Sequence, residues 1–139
     1  MNVLFETDRL RIEHEFENAY LIEKSSGKEL LFDDFYGDPK CGLISEKNDW
    51  AIIAGEHLTV WRKNEKKKDK IVRIENDELK WIHDLRLKNE KTIEILTDPW
   101  SNNSAIWELD IEKMQYLKQY HQMSHMRWTG TAICEGKRF

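Results

Sequence analysis

The sequence predicts an all-β fold: one domain spanning residues 1–139, built of antiparallel meanders arranged as a sandwich, a barrel or a propeller-like stack, with at most one or two short helices. Three observations carry this reading. Apolar residues recur with period two in short runs, as in half-buried strands. Turn signals interrupt the runs at roughly 8–12-residue intervals, as in all-β domains. The 139 residues include 34 Leu, Ile, Val and Phe together with six Trp, enough to enclose one core of ordinary size.

The first run places Leu10, Ile12 and Phe16 between Arg11, Glu13 and Glu15. Tyr20-Leu21-Ile22 then meets Ser25-Ser26-Gly27, a hairpin turn, and Leu30-Leu31-Phe32 returns. Gly37-Asp38-Pro39 is a strong break, because the residue before proline is pushed out of the helical region. Cys41 to Ser45 is a short apolar strand, and Trp50 to Ala54 pairs through Gly55-Glu56 with His57 to Trp61. Arg62 to Lys70 is almost wholly charged and reads as a hairpin tip, since Ile71-Val72-Arg73-Ile74 resumes the strand pattern at once. Trp81, His83, Leu85 and Leu87 share one face of a further strand, with His83 expected half-buried. Thr92 to Thr97 is a strand, Asp98 to Asn103 a loop, and Ala105, Trp107, Leu109 and Ile111 alternate in the next strand. Met114, Tyr116 and Tyr120 suggest one more, and Thr131 to Cys134 a last one.

Two segments also fit a helix. Asn76 to Leu85 has a capping residue followed by Leu79, Ile82 and Leu85 at helical spacing, and Lys113 to Met126 is similarly ambiguous. The strand–turn–strand pattern of Ala51-Ile52-Ile53 and Thr59-Val60-Trp61 recurs in Thr92 to Ile95 and Ala105 to Trp107. This suggests three units of three or four strands, beginning near residues 10, 41 and 81. Trp50, Trp61, Trp81 and Trp107 each fall within or at the start of an alternating run and are expected in the core.

Composition excludes several function classes. The net charge is −4 and the pI near 5.8, which argues against binding nucleic acid through bulk phosphate attraction. No apolar run approaches the roughly 18 residues of a membrane span. Met1 to Glu15 has no basic region followed by an apolar stretch, so no secretory signal is expected and the cytoplasm is the expected compartment. Cys41 and Cys134 are then expected as free thiols.

Catalytic patterns are missing. There is no Gly-x-Ser-x-Gly elbow, no phosphate-binding glycine loop and no Cys-x-x-Cys. His121 and His125 have the spacing of two metal ligands on a helix, but Gln122 stands where a zinc protease would need its glutamate base. We therefore expect no enzyme activity, no metal and no cofactor.

The loops are more informative. Phe32-Asp33-Asp34-Phe35-Tyr36-Gly37-Asp38 places three aromatics and three acids in seven positions, and Asp98-Pro99-Trp100 puts a Trp in a polar turn. Loops on a rigid sheet carry binding residues, and Tyr and Trp are favoured interface anchors. Equally, Phe32, Phe35 and Trp100 are placed to fold over the end of the sheets as plugs. The expected contact residues are Asp33, Asp34, Tyr36, Asp38, Glu56, Asp98 and Trp100.

Tyr36-Gly37-Asp38-Pro39-Lys40-Cys41-Gly42-Leu43-Ile44-Ser45, with Trp50 to Ile53, Leu58 to Trp61, Trp81-Ile82-His83, Ile95 to Ser101 and Ala105-Ile106-Trp107, carry a resemblance over roughly residues 29–112. The chain resembles a group of small β-rich bacterial proteins that look like immunity partners of polymorphic toxins. The resemblance implies a cytosolic protein that binds and occludes a cognate toxin, with a nuclease as one candidate, and catalyses nothing. Two other expectations stand beside it: a carbohydrate- or ligand-binding β module, and a structural unit of a propeller-like assembly.

Overall fold

The computed structural model describes residues 1–98 and 104–121, the latter without the side chains of Tyr120 and His121. Trp100, His125, Cys134, the Thr131–Cys134 run and the imidazole of His121 fall outside the described residues. Twelve strands form three antiparallel four-stranded sheets, and the described residues contain no helix. No helix among them is long and apolar enough to cross a membrane.

Sheet A comprises β1 (Asn2–Glu6), β2 (Leu10–Glu15), β3 (Asn18–Glu23) and β4 (Glu29–Asp34). Sheet B comprises β5 (Cys41–Ile44), β6 (Trp50–Ala54), β7 (Leu58–Arg62) and β8 (Lys70–Ile74). Sheet C comprises β9 (Ile82–Asn89), β10 (Thr92–Thr97), β11 (Ala105–Asp110) and β12 (Gln115–His121). Within each sheet the strands lie in chain order, so each is a simple meander. The sheets begin at Asn2, Cys41 and Ile82; the reading from sequence began the first unit near residue 10 and missed β1.

The alternation of each strand decides the stacking. In sheet B, Cys41, Leu43, Trp50, Ile52, Ala54, Leu58 and Val60 share one apolar cluster with Ile82, Leu85, Ile93, Ile95, Trp107 and Leu109 of sheet C. Ile44, Ala51, Ile53 and Trp61 point the other way and join Leu10, Ile12, Ala19, Leu21 and Leu31 of sheet A. Sheet B is thus the middle layer, apolar on both faces, which is why β5, β6 and β7 read as nearly unbroken apolar runs. Gly42 lets layers A and B approach: a Cβ there would lie 2.9 Å from the Cδ1 of the buried Ile12.

Both helical alternatives give way to other structure. In the loop from 75 to 81, Asn76 Oδ1 accepts the amides of Glu78 and Leu79 at 2.8 and 3.2 Å, the chemistry of a cap without the helix. Leu79, Ile82 and Leu85 are all buried, but through a turn and a bulge. Leu96 pairs with Asp84 and Thr97 with Ile82, so His83 is the unpaired extra residue. That bulge corrects the expected face of β9: His83 is exposed, and Ile82 takes the inward position with Leu85. Of the 113–126 ambiguity, residues 115–121 form β12. Phe16, read as part of an alternating strand, sits exposed at the β2–β3 turn with φ of 52°.

Trp50, Trp61 and Trp107 are buried as expected, and Cys41 is a buried free thiol. Trp81 is a correction. It precedes β9, has φ of 53° and is 48% exposed, because its left-handed backbone turns the indole outward while Ile82 enters the core.

Trp107 carries the interior of sheet C, with Tyr116 at 6.0 Å and the Lys118 ammonium 5.2 Å over its ring. Replacing Trp107 by Ala is expected to cost about 3–5 kcal/mol, the sum of lost transfer energy and a residual cavity. Urea denaturation checks this, the midpoint falling with the slope unchanged.

Candidate functional site

In three meandering sheets every second connection lies at the same end. One end therefore gathers the β4–β5 loop, the β6–β7 turn, the β8–β9 loop and the start of the β10–β11 connection. Five of the seven residues selected from sequence fall here with described surroundings and exposed or partly exposed: Asp34, Tyr36, Asp38, Glu56 and Asp98. Asp33 is nearby but turned inward, and Trp100 is outside the described residues.

Backbone hydrogen bonds hold the end together. The Trp81 amide donates to Glu56 O at 3.0 Å, the Ile82 amide to Gly55 O at 2.8 Å, and the Asp98 amide to Trp81 O at 3.2 Å. The β8–β9 loop is thereby clasped between the β6–β7 turn and the end of β10. Trp81 and Asp98 both adopt positive φ, 53° and 38°, conformations that cost of order 1–3 kcal/mol outside glycine. On the other side, the Gly37 amide donates to Glu17 Oε2 at 2.6 Å and fixes the turn that presents Tyr36. Tyr36, 75% exposed, meets Trp81 edge to face, with centroids 6.2 Å apart and planes at 77°. Sequence reasoning found Tyr36 and missed Trp81, whose position in an apolar alternation pointed to the core.

Charge is concentrated at the same end. Residues 34–40, 55–57, 75–81 and 98 carry seven carboxylates against two lysines, and three of the seven are paired with cations from neighbouring strands, Asp34 and Glu75 with Arg73 and Glu78 with Lys118. The site is an exposed aromatic pair in an acidic field. Phe35, the neighbour of Tyr36, does act as a plug: it is buried and stacked on the His57 ring at 4.1 Å and 7°. Phe32 points outward on β4 instead.

Beneath the surface lies a second constellation. Asp33 on β4 of sheet A accepts hydrogen bonds from His57 Nε2 at 2.7 Å, from the Thr59 hydroxyl, and from Arg73 Nη1 at 2.8 Å, donors that lie in the β6–β7 turn, on β7 and on β8. Burial pushes the Asp33 carboxyl up, but the bonds from His57 and Thr59, with the charges of His57 and Arg73, outweigh it and hold the group below its ordinary value of 3.8. An ionised Asp33 requires His57 Nε2 to be the donor. A His, an Asp and a hydroxyl invite a nucleophilic reading, and the geometry opposes it. The Thr59 hydroxyl gives its own proton to Asp33 rather than to the imidazole, and His57 and Thr59 are each 1% exposed, out of reach of a substrate. The constellation is a clamp between layers A and B.

At the opposite end are two clefts. One, of about 480 Å³ between sheets B and C, is lined by Trp50, Arg62, Leu87, Lys91 and Ile111 among others. The other, of about 600 Å³ between A and B, is lined by Lys24, Leu30, Asn48, Trp61 and Lys63 among others. Neither includes any residue selected from sequence, and both are rimmed by charges of both signs.

The clamp makes stability depend on pH. Because the folded Asp33 pKa is lowered, its stabilisation is present above the unfolded value of 3.8 and is lost as pH falls through the folded value. Asp33→Asn is expected to remove that part of the acid transition, seen as a flatter stability profile below about pH 4. Asp33→Ala is expected to cost about 3–5 kcal/mol at neutral pH, by leaving His57 and Thr59 buried without their acceptor.

Compared with known proteins, the chain matches no family model, and no curated protein matches it in sequence.

Proposed function

We propose that this protein works by binding a basic protein partner at the acidic, aromatic end, in the manner of an immunity protein that occludes its toxin. The observation that carries the reading is the Tyr36–Trp81 pair, two large exposed aromatics meeting at an angle and held by backbone bonds among acidic loops. Aromatic side chains presented rigidly lose little entropy on binding and make effective anchors. Asp34, Asp38, Glu56 and Asp98 supply a negative field that speeds encounter with a cationic surface, and Lys or Arg of that partner can stack on the exposed rings. Asp33 contributes through the clamp, as support for the loop that carries Asp34 and Tyr36 rather than as a contact. A nuclease is a suitable toxin because its substrate-binding surface is basic, and the cytoplasm is where such a toxin would have to be met.

The test is co-expression with a toxin candidate encoded by a neighbouring gene, scoring growth, together with binding kinetics on the purified pair. Tyr36→Ala or Trp81→Ala is expected to weaken the complex by about 2–4 kcal/mol, mainly through faster dissociation. Asp38→Lys is expected mainly to slow association, with the difference shrinking at high salt. An Asp38→Lys, Trp81→Ala double variant that folds and still protects as well as wild type would remove this surface from the mechanism. If the isolated protein instead binds a glycan through Tyr36 and Trp81, or turns over a small molecule, the immunity reading falls.

A further inference from the structure

The apolar layer between sheets B and C ends in a charged residue. Alternation along β7 turns Leu58 and Val60 toward sheet C, where both join the shared cluster, and the next residue in that phase is Arg62. The register agrees, because paired residues share a face: Arg62 pairs with Trp50 on β6, and Trp50 belongs to the same cluster. The cleft of about 480 Å³ opens beside this Trp50–Arg62 row. Leu87 and Ile111 line it from sheet C and its β11–β12 turn; Leu87 pairs with the buried Ile93, and Ile111 is itself buried. A cleft of this size suits a small organic molecule, for which sites run from roughly 300 to 1,000 Å³.

Arg62 is held in place and left without a counter-ion. Its Nη1 donates to the carbonyls of Ile111 and Glu112, each at 3.3 Å, which ties β7 to the β11–β12 turn. Its Nε is buried and makes no hydrogen bond, and its Nη2 has no partner among the described residues. The Glu112 carboxylate is engaged elsewhere, on Lys91 at 2.6 Å, and the Asp49 carboxylate accepts the Ser45 hydroxyl at 2.6 Å. The other charged residues of the lining are four lysines and four acids, all exposed around the mouth, and their charges cancel. Arg62 alone is partly buried, so the charge at depth is a single positive one. A guanidinium partly withdrawn from water is the setting in which a carboxylate gains most, since charge-assisted hydrogen bonds strengthen as water is excluded.

We propose that the cleft between sheets B and C is a binding site for a small organic acid, whose carboxylate meets the open edge of Arg62 while a ring-sized apolar body lies against Trp50, Leu87 and Ile111. Both parts are required. An anion without such a body leaves the apolar walls in water, and a neutral body leaves the guanidinium unmet. The site is at the opposite end of the sheets from Tyr36 and Trp81 and independent of the partner surface there.

Titration of the purified chain with 2-naphthoate, followed by calorimetry and amide NMR shifts, tests this. Saturable binding is expected, with a dissociation constant of about 1 mM or tighter and shifts centred on Trp50, Arg62 and Ile111. 2-Naphthamide has the same shape without the charge, and acetate the charge without the body; each is expected to bind at least about tenfold more weakly. Arg62→Met is expected to lower 2-naphthoate affinity by at least about tenfold. That variant also gives up the Nη1 bonds to the turn, so a second one keeps them: Leu87→Glu, at an exposed position, places the chain's own carboxylate in the cleft and is expected to cause the same loss with the fold unchanged. Tyr36→Ala is expected to bind 2-naphthoate as the wild type does. The proposal is overturned by the absence of saturable binding up to about 5 mM. It is overturned equally if 2-naphthamide or acetate binds as tightly as 2-naphthoate, or if folded Leu87→Glu retains wild-type affinity.

Discussion

One buried carboxylate governs how sheets A and B of this protein meet. Sheets A and B are joined largely by side chains such as Ile12, Leu21, Ile53 and Trp61, whose attraction is non-directional and would tolerate sliding. Asp33 is directional. Its two oxygens take donors from His57, Thr59 and Arg73, which sit on three successive features of sheet B. A shift of either sheet by one residue would leave those buried groups without partners, and an unmatched buried charge costs far more than a misplaced methyl. The clamp therefore sets the register between layers, and with it the positions of the β4–β5 loop and the β6–β7 turn that carry the candidate site. Phe35, stacked on His57, ties that loop to the same point.

Much of the fold was legible because most strands of this chain alternate clearly and most of its turns have standard chemistry. Thr92–Thr97 was read with its observed bounds, and the hairpin at Ser25-Ser26-Gly27 has Gly27 at φ of 73°, the conformation glycine supplies most cheaply. β1 went unread because Asn2–Glu6 is short and its irregular pairing between Val3 and Phe5 breaks the period. The region from 76 to 85 misled for a more general reason. Apolar residues three apart suit a helix, but a left-handed turn at Trp81 and a bulge at His83 bring Leu79, Ile82 and Leu85 to one core just as well. Periodicity counts residues, whereas a bulge changes what one residue is worth.

The candidate site was legible in its composition and not in its geometry. The density of acids and aromatics from Phe32 to Asp38 marked the right loop, yet neighbouring residues there have opposite fates. Asp33 and Phe35 point inward, while Asp34 and Tyr36 point outward. Once a strand end is known, period two predicts this division. The phase was the missing fact, and only the Asp33 partners on sheet B, 24 to 40 positions away in the chain, fix it. Trp81 was missed for the complementary reason: nothing local to it distinguishes a core tryptophan from one whose backbone has flipped to the left-handed side.

That flip is best understood as a consequence of how the loops are wired. A tryptophan at φ of 53° is unfavourable, and an unconstrained chain would favour an extended conformation. Here the Trp81 amide is held by Glu56 O and its carbonyl by the Asp98 amide, so relaxation would break both bonds at once. It would also displace Ile82, whose own amide is held by Gly55 O and whose side chain fills the interface between sheets B and C. The cost of the strained residue is thus offset by bonds and burial on either side, and the exposed indole follows from the packing of its neighbours. An aromatic ring kept in water by the core itself is already ordered before a partner arrives, which is the condition under which a contact contributes most to binding.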